Sequence, residues 1–221
     1  MQNSILPKPP KPRPIPQEFP ADTAHPFRFA VLASTRGTDL QAIIDELKAG
    51  HLGNAELACV VSNKRRCYAL ERAQAQGFKT YWVDQREKSR ENFDREVLEI
   101  LRREKVELVV LVGYMRILSP AFVQAFPRRI INVHPALIPK FSGKDFYGSN
   151  VHEAVIAAGE KETGMTIHFV EEGVDTGEII LQKKCPVLST DTPETLKEKV
   201  QALEKEWYPK VIRDFAEGRL T

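Results

Sequence analysis

A chain of 221 residues with 42% hydrophobic and 28% charged residues has the make-up of an ordinary globular protein and is long enough for one good-sized domain. A formal net charge of +2 argues against a large nucleic-acid surface, and apolar runs far shorter than the roughly 20 residues of a membrane helix argue against a spanning segment. Three cysteines without paired zinc-type spacing, and five histidines that do not repeat at ligand spacing, fit a cytoplasmic protein without disulfides or a bound metal.

Residues 1–26 hold eight of the 15 prolines, among them Pro9, Pro10, Pro12 and Pro14, a composition that favours polyproline II and closes no core. They are expected to form a disordered tail, and they lack the apolar centre of a secretory signal. One folded domain is expected over 27–221.

Phe27–Ala33 reads as a buried strand, and Thr38–Ala49 as a helix with Leu40, Ile43, Ile44 and Leu47 on one face. The loop between them, Ser34 to Asp39, can cradle an anion with the backbone N–H groups of Gly37, Thr38 and Asp39. Gly37 would let the backbone approach the anion without a Cβ, whereas Thr38 or Asp39 could equally serve as a helix cap. The loop is neither a Walker sequence nor a three-glycine dinucleotide fingerprint.

The alternation continues with strands at Leu57–Ser62, Lys79–Val83 and Leu108–Gly113 and helices at Cys67–Gln76 and Ser89–Glu104. Such alternation predicts a three-layer αβα fold with a doubly wound, mostly parallel sheet, Rossmann-like in its N-terminal half. After Gly113, Ser119 and Pro120 suit the cap and first turn of a short helix to Phe126. Met115, Ile117 and Leu118 fit core packing better than a pocket wall when judged by residue type alone.

Ile130–Val133 forms a further strand, placing Asn132 and His134 on one face before Pro135 ends the ladder. In an open α/β sheet, that C-terminal end is where ligands bind. A helix at Val151–Ala158 follows, then strands at Thr166–Val170 and Glu178–Lys183 around a short loop carrying Asp175. Their closeness predicts an antiparallel pair and hence a mixed C-terminal part of the sheet. The last helix, Pro193 to about Phe215, has Asp191 or Thr192 as cap and should be kinked or divided at Pro209. An amide, an imidazole and a loop carboxylate form a set that can stabilise an oxyanion, donate a proton and hold the donor charged.

Three stretches make the pattern specific: Met115 to Pro120; Asn132-Val133-His134-Pro135 with Leu137 and Pro139; and His168-Phe169-Val170 leading to Val174-Asp175-Thr176-Gly177. Together, in this order, they resemble the folate-dependent glycinamide ribonucleotide transformylases, and more widely the formyltransferases that use 10-formyltetrahydrofolate. The resemblance implies that Asn132, His134 and Asp175 are the catalytic triplet. It also implies that Met115, Arg116, Ile117 and Leu118, with Asn132 and Arg90, meet the folate co-substrate. Gly37, Thr38 and Asp39 would meet the substrate phosphate and Glu204 its ribose-phosphate end. The implied partners are small molecules, no metal takes part, and a monomer and a homodimer both stay open.

Two departures stand out. The family loop usually reads Ser-Gly-x-Gly-Ser-Asn, whereas here Thr35 replaces the first glycine and Asp39 the asparagine. A carboxylate beside a phosphate needs Arg36 or another cation to offset it. The loop after His134 is also longer, through Gly143 to Gly148, as expected of a variant lid. With Asp175 near the imidazole, His134 should titrate above its ordinary value. Rival readings are a sugar-amine N-formyltransferase, a formyltetrahydrofolate hydrolase, and a non-catalytic nucleotide- or folate-binding module.

Overall fold

The computed structural model describes residues 25–221, so the proline-rich tail lies almost wholly outside the described residues. Seven strands and six helices follow one another: β1 (Phe27–Ala33), α1 (Thr38–Lys48), β2 (Ala55–Ser62), α2 (Tyr68–Ala75), β3 (Thr80–Trp82), α3 (Arg90–Arg103), β4 (Leu108–Val112), α4 (Pro120–Ala125), β5 (Ile130–His134), α5 (Ser149–Ala157), β6 (Glu162–Phe169), β7 (Ile179–Pro186) and α6 (Pro193–Ala216). The sheet order is β3-β2-β1-β4-β5-β6-β7, with parallel pairing from β3 through β5 and antiparallel pairing of β6 and β7. This is the doubly wound sheet with a mixed C-terminal part expected from the alternation.

Period-two alternation sends successive strand residues into two separate apolar layers. Phe29, Val31 and Ala33 of β1 join Ile43, Ile44, Val200 and Ile212 beneath α1 and α6; Ala30 and Leu32 join Phe93, Val97, Leu101 and Phe122 beneath α3 and α4. Strands covered on both faces explain why the central runs are almost entirely apolar. The order reverses at β1, whose neighbours are β2 and β4, and that switch opens a crevice beyond the strands' C-terminal ends.

Local capping follows the sequence signals at three helices. Ser89, Ser119 and Thr192 each accept a hydrogen bond from the backbone N–H three residues on, and Thr192 with Thr195 forms a reciprocal capping box. Thr192, not Asp191, is therefore the cap of α6. At α1 neither Thr38 nor Asp39 caps; Gly37 does so with a left-handed backbone (φ 66°) and no side-chain bond.

Two other expectations yield to tertiary packing. β6 begins four residues earlier than predicted, at Glu162, because β7 pairs with it along its whole length to Pro186. α6 remains one helix through Pro209. The lost hydrogen bond there is outweighed by its surroundings: Tyr208, Val211, Ile212 and Phe215 are buried, and the Tyr208 hydroxyl lies 2.9 Å from the Leu111 carbonyl and 3.1 Å from that of Ile131.

Candidate active site

The crevice is an open cleft of about 700 Å³. Its walls come from the loop after β1 (Thr35 to Asp39), the segment after β4 (Val112 to Ile117), the end of β5 (Asn132 to Pro135), the loop through Gly148, Val174 and Asp175, and the α6 residues Lys197, Gln201 and Glu204. Nearly all the expected site residues thus meet in one place. Two do not. Leu118 is buried with Phe93 and Phe122 in the layer under α3 and α4, while Arg90 stands exposed at the start of α3, paired with Glu91 outside the cleft walls.

The segment after β4 is held by a polar chain. The Met115 N–H donates to Ser34 Oγ at 3.0 Å, Ser34 donates to Asn63 Oδ1, Asn63 to Gln85 Oε1, and Arg116 Nη1 to the same Gln85 oxygen at 2.8 Å. Arg116 also lies over the Phe93 ring at 4.1 Å, so its guanidinium is held between that ring and Gln85. Met115 and Ile117, by contrast, remain 49% and 48% exposed. Core packing, the better fit by residue type alone, holds only for Leu118, because alternation along an extended segment puts its neighbours on the open side. Gly113 explains Thr35: a Cβ at Gly113 would fall 2.3 Å from Thr35 Oγ1, so the threonine occupies space that only a glycine leaves.

Gly37 has a packing cause in addition to the role expected of it. A Cβ there would meet the Ala69 Cβ of α2 at 2.8 Å, and its φ of 66° is a left-handed conformation. Helix packing and backbone handedness therefore each require the glycine, whatever the loop binds. Gly37→Ala is accordingly expected to lower stability by about 1–2 kcal/mol from the backbone alone, and more from the clash. Thermal unfolding measures this; an unchanged midpoint would remove the packing role.

At the floor of the cleft, β5 and β6 run antiparallel with Asn132 opposite His168 and His134 opposite Thr166. His168 Nδ1 donates to the Phe169 carbonyl at 2.8 Å, which leaves Nε2 to accept from Asn132 Nδ2 at 3.2 Å. Asp175 stands between the two imidazoles, its Oδ1 3.5 Å from His168 Nε2 and its Oδ2 3.5 Å from His134 Nδ1. The Gly143 N–H also donates to Oδ2, at 3.0 Å. A left-handed backbone at Asp175 (φ 55°), which Asp tolerates better than most residues, turns the carboxylate inward. On its other side His134 Nε2 donates to the Phe141 carbonyl at 2.7 Å. The loop leaving β5 is fixed at its root by Thr166, whose hydroxyl donates to the Ala136 carbonyl and accepts from Ile138 N and Gln182 Nε2.

Electrostatics correct one expectation. Burial pushes the His134 imidazole below its usual value; the Asp175 charge and the Phe141 carbonyl act the other way without reversing the shift. For Asp175, burial alone would raise the carboxyl, but the Gly143 N–H and the two imidazoles beside it hold it below the usual carboxylate range.

Four further residues belong to the site. His168 was visible only as part of a motif; its alternation with Thr166 on a strand, facing Asn132 and His134, is the signal that marks it. His152 of α5 is 2% exposed, lines the cleft, and is pushed down to about 4 by burial and by the Lys197 and His134 charges. Lys197 and Gln201 share a helical face with Glu204, at spacings of four and three residues. Among the described residues no group of three or more His, Cys, Asp or Glu side chains is placed to hold a metal ion, and no helix is long and apolar enough to cross a membrane.

A family profile described as formyl transferase matches residues 27–212. The chain belongs to the formyl transferase family. Within that family it is similar to the phosphoribosylglycinamide formyltransferase of Haemophilus influenzae, at 41% identity over 194 residues, covering 87% of this chain and 89% of that protein. The enzyme of the same name from Escherichia coli is 40% identical over 195 residues, covering 88% of this chain and 89% of its own. The crystal structure of glycinamide ribonucleotide transformylase 1 from Symbiobacterium toebii superposes on this formyl transferase with a TM-score of 0.84 at 42% identity, covering 90% of this chain and 92% of that one.

Proposed function

We propose that this formyl transferase moves the formyl group of 10-formyltetrahydrofolate onto the amine of glycinamide ribonucleotide, a step of de novo purine biosynthesis in the cytoplasm. The observation that carries this assignment is the meeting of Asn132, His134 and Asp175 on the floor of one cleft whose two ends differ in character. One end has the open apolar side chains of Met115 and Ile117, suited to a flat pterin; the other has the start of α1 with Lys197 and Gln201, suited to a phosphorylated ribose.

In the proposed reaction the neutral amine attacks the formyl carbon, and negative charge develops on the formyl oxygen. Asn132 and His134 donate to that oxyanion, where preorganised donors act most strongly. The His134 Nε2–H is engaged by the Phe141 carbonyl in the free protein, and a shift of the loop from Pro135 to Gly148 passes this donor to the substrate. Asp175 takes the proton lost by the attacking nitrogen, and His134 returns one to the departing folate nitrogen. The products are the formamide and tetrahydrofolate. His168 keeps the Asn132 amide turned so that its second N–H faces the cleft.

Mixing the enzyme with 10-formyltetrahydrofolate and following folate release, with and without glycinamide ribonucleotide, tests the assignment. Release that requires the acceptor, with formylated ribonucleotide as product, is expected. Release without acceptor would indicate a hydrolase, and no release would point to another amine or to a binding role.

A further inference from the structure

The acceptor end of the cleft contains a carboxyl group that the reaction just described leaves without a role. Asp39 is the second residue of α1, is 8% exposed, and lines the cleft together with Glu204, which is 6% exposed. The first hydrogen bond of α1 runs from Gln41 N to the Gly37 carbonyl, so the N–H groups before it have no partner within the helix and point toward the same end. Such a terminus favours an anion, yet Asp39 Oδ1 is buried there without any hydrogen-bond partner. A buried carboxylate oxygen lacking a donor is costly; a carboxylic acid whose O–H meets an anionic oxygen is not.

The surrounding groups point the same way. From α6, Glu204 adds a second buried carboxyl, Lys205 and Lys197 supply positive charge from positions along the same helix, and Tyr208 is buried and neutral. Arg36, the cation expected to offset Asp39, is instead turned over the Tyr68 ring at 5.8 Å, and Arg72 of α2 is engaged by the Arg36 carbonyl and Gln41. From α5, His152 is neutral beside Lys197. Burial pushes Asp39 up to about 6 against the pull of Lys205, and burial together with the Asp39 charge raises Glu204 well above the usual carboxylate range. Both carboxyls therefore hold a proton more readily than free ones, and a further negative group arriving at the loop favours protonation more.

We propose that Asp39 is a specificity-determining residue for the phosphorylated acceptor: it takes up a proton as the acceptor's phosphate seats at the start of α1, and its O–H then donates to a phosphate oxygen. Binding of the acceptor is thereby tied to proton uptake, whereas binding of the folate at the other end is not. The inference rests on glycinamide ribonucleotide, or an amine with the same phosphate, being the acceptor.

Calorimetry of ribonucleotide binding at pH 7.5, in two buffers of different ionisation enthalpy, counts the protons taken up. The full-length protein is expected to take up a sizeable fraction of one proton, and its acceptor Kd to weaken between pH 6.5 and 8.5 by up to tenfold per pH unit. Folate binding in the same buffers should show neither effect. In Asp39→Asn, whose amide donates without a proton, uptake and pH dependence should both largely disappear. Uptake retained in this variant would put the proton on the phosphate or on Glu204 and overturn the role given to Asp39, as would binding without uptake in the unaltered protein. The protonated-carboxyl C=O band in infrared difference spectra of the unaltered protein should grow on acceptor binding, which keeps the test decisive if the variant does not fold. Failure to bind the ribonucleotide at any pH would remove the functional assignment itself and this proposal with it, an outcome distinct from binding without uptake.

Discussion

His134→Ala is expected to lower turnover by about two or more orders of magnitude, and Asn132→Ala by a similar factor, the usual size of losing a general acid or an oxyanion donor. A hundredfold loss corresponds to about 2.7 kcal/mol of transition-state stabilisation. The variants should differ elsewhere. His134 is 4% exposed and ties the Phe141 carbonyl to the floor of the cleft, so its removal also loosens the loop between Pro135 and Gly148. Asn132 contacts His168 at the surface of the cleft, and its removal leaves an imidazole nitrogen that water can reach. Single-turnover rates with both substrates saturating, beside calorimetry of each ligand, separate chemistry from binding. Near-normal turnover in either variant would remove that residue from the proposed mechanism.

Asp175→Asn should produce the second large effect, and its pH dependence is the informative part. In the free protein burial already holds His134 below its usual value, and Asp175 is the leading influence in the opposite direction. Removing that charge leaves burial less opposed, so the imidazole should titrate at a still lower pH and the protonated form become scarcer at neutrality. Turnover should then fall most at high pH and recover partly on acidification. If Asp175 is also the acceptor of the amine's proton, turnover stays low throughout. In the unaltered enzyme the oxyanion forming beside the ring brings a second negative charge, which favours the imidazolium at the moment it is needed. NMR titration of His134 in both proteins provides the check: an unchanged imidazole pKa in Asp175→Asn would exclude the charge coupling.

Local chemistry made much of this site legible. Ser89, Ser119 and Thr192 act within one helical turn, so residue type and spacing are enough to locate the helix starts. Asn132 and His134 share a face because side chains alternate along any strand, and Pro135 ends the ladder wherever it occurs. Leu118 and Met115 show the limit: both are apolar and three residues apart, yet one is core and the other open to the cleft, depending on whether α3 and α4 lie over it.

Taken alone, the sequence determined the order and type of the elements, the doubly wound sheet and the shared face of Asn132 and His134, because periodicity, capping and short motifs act over a few residues. Tertiary structure decided what depends on neighbours distant in the chain. The register between β5 and β6 put His168 against Asn132; the exposed start of α3 left Arg90 outside the cleft; and α2 required glycine at residue 37. Packing of α1 against α6 buried Asp39 beside Glu204, and burial outweighed the Asp175 charge at His134. The physical reason is common to these cases: desolvation and cross-strand contact are properties of the space around a side chain, and the chain fills that space with residues far away in sequence.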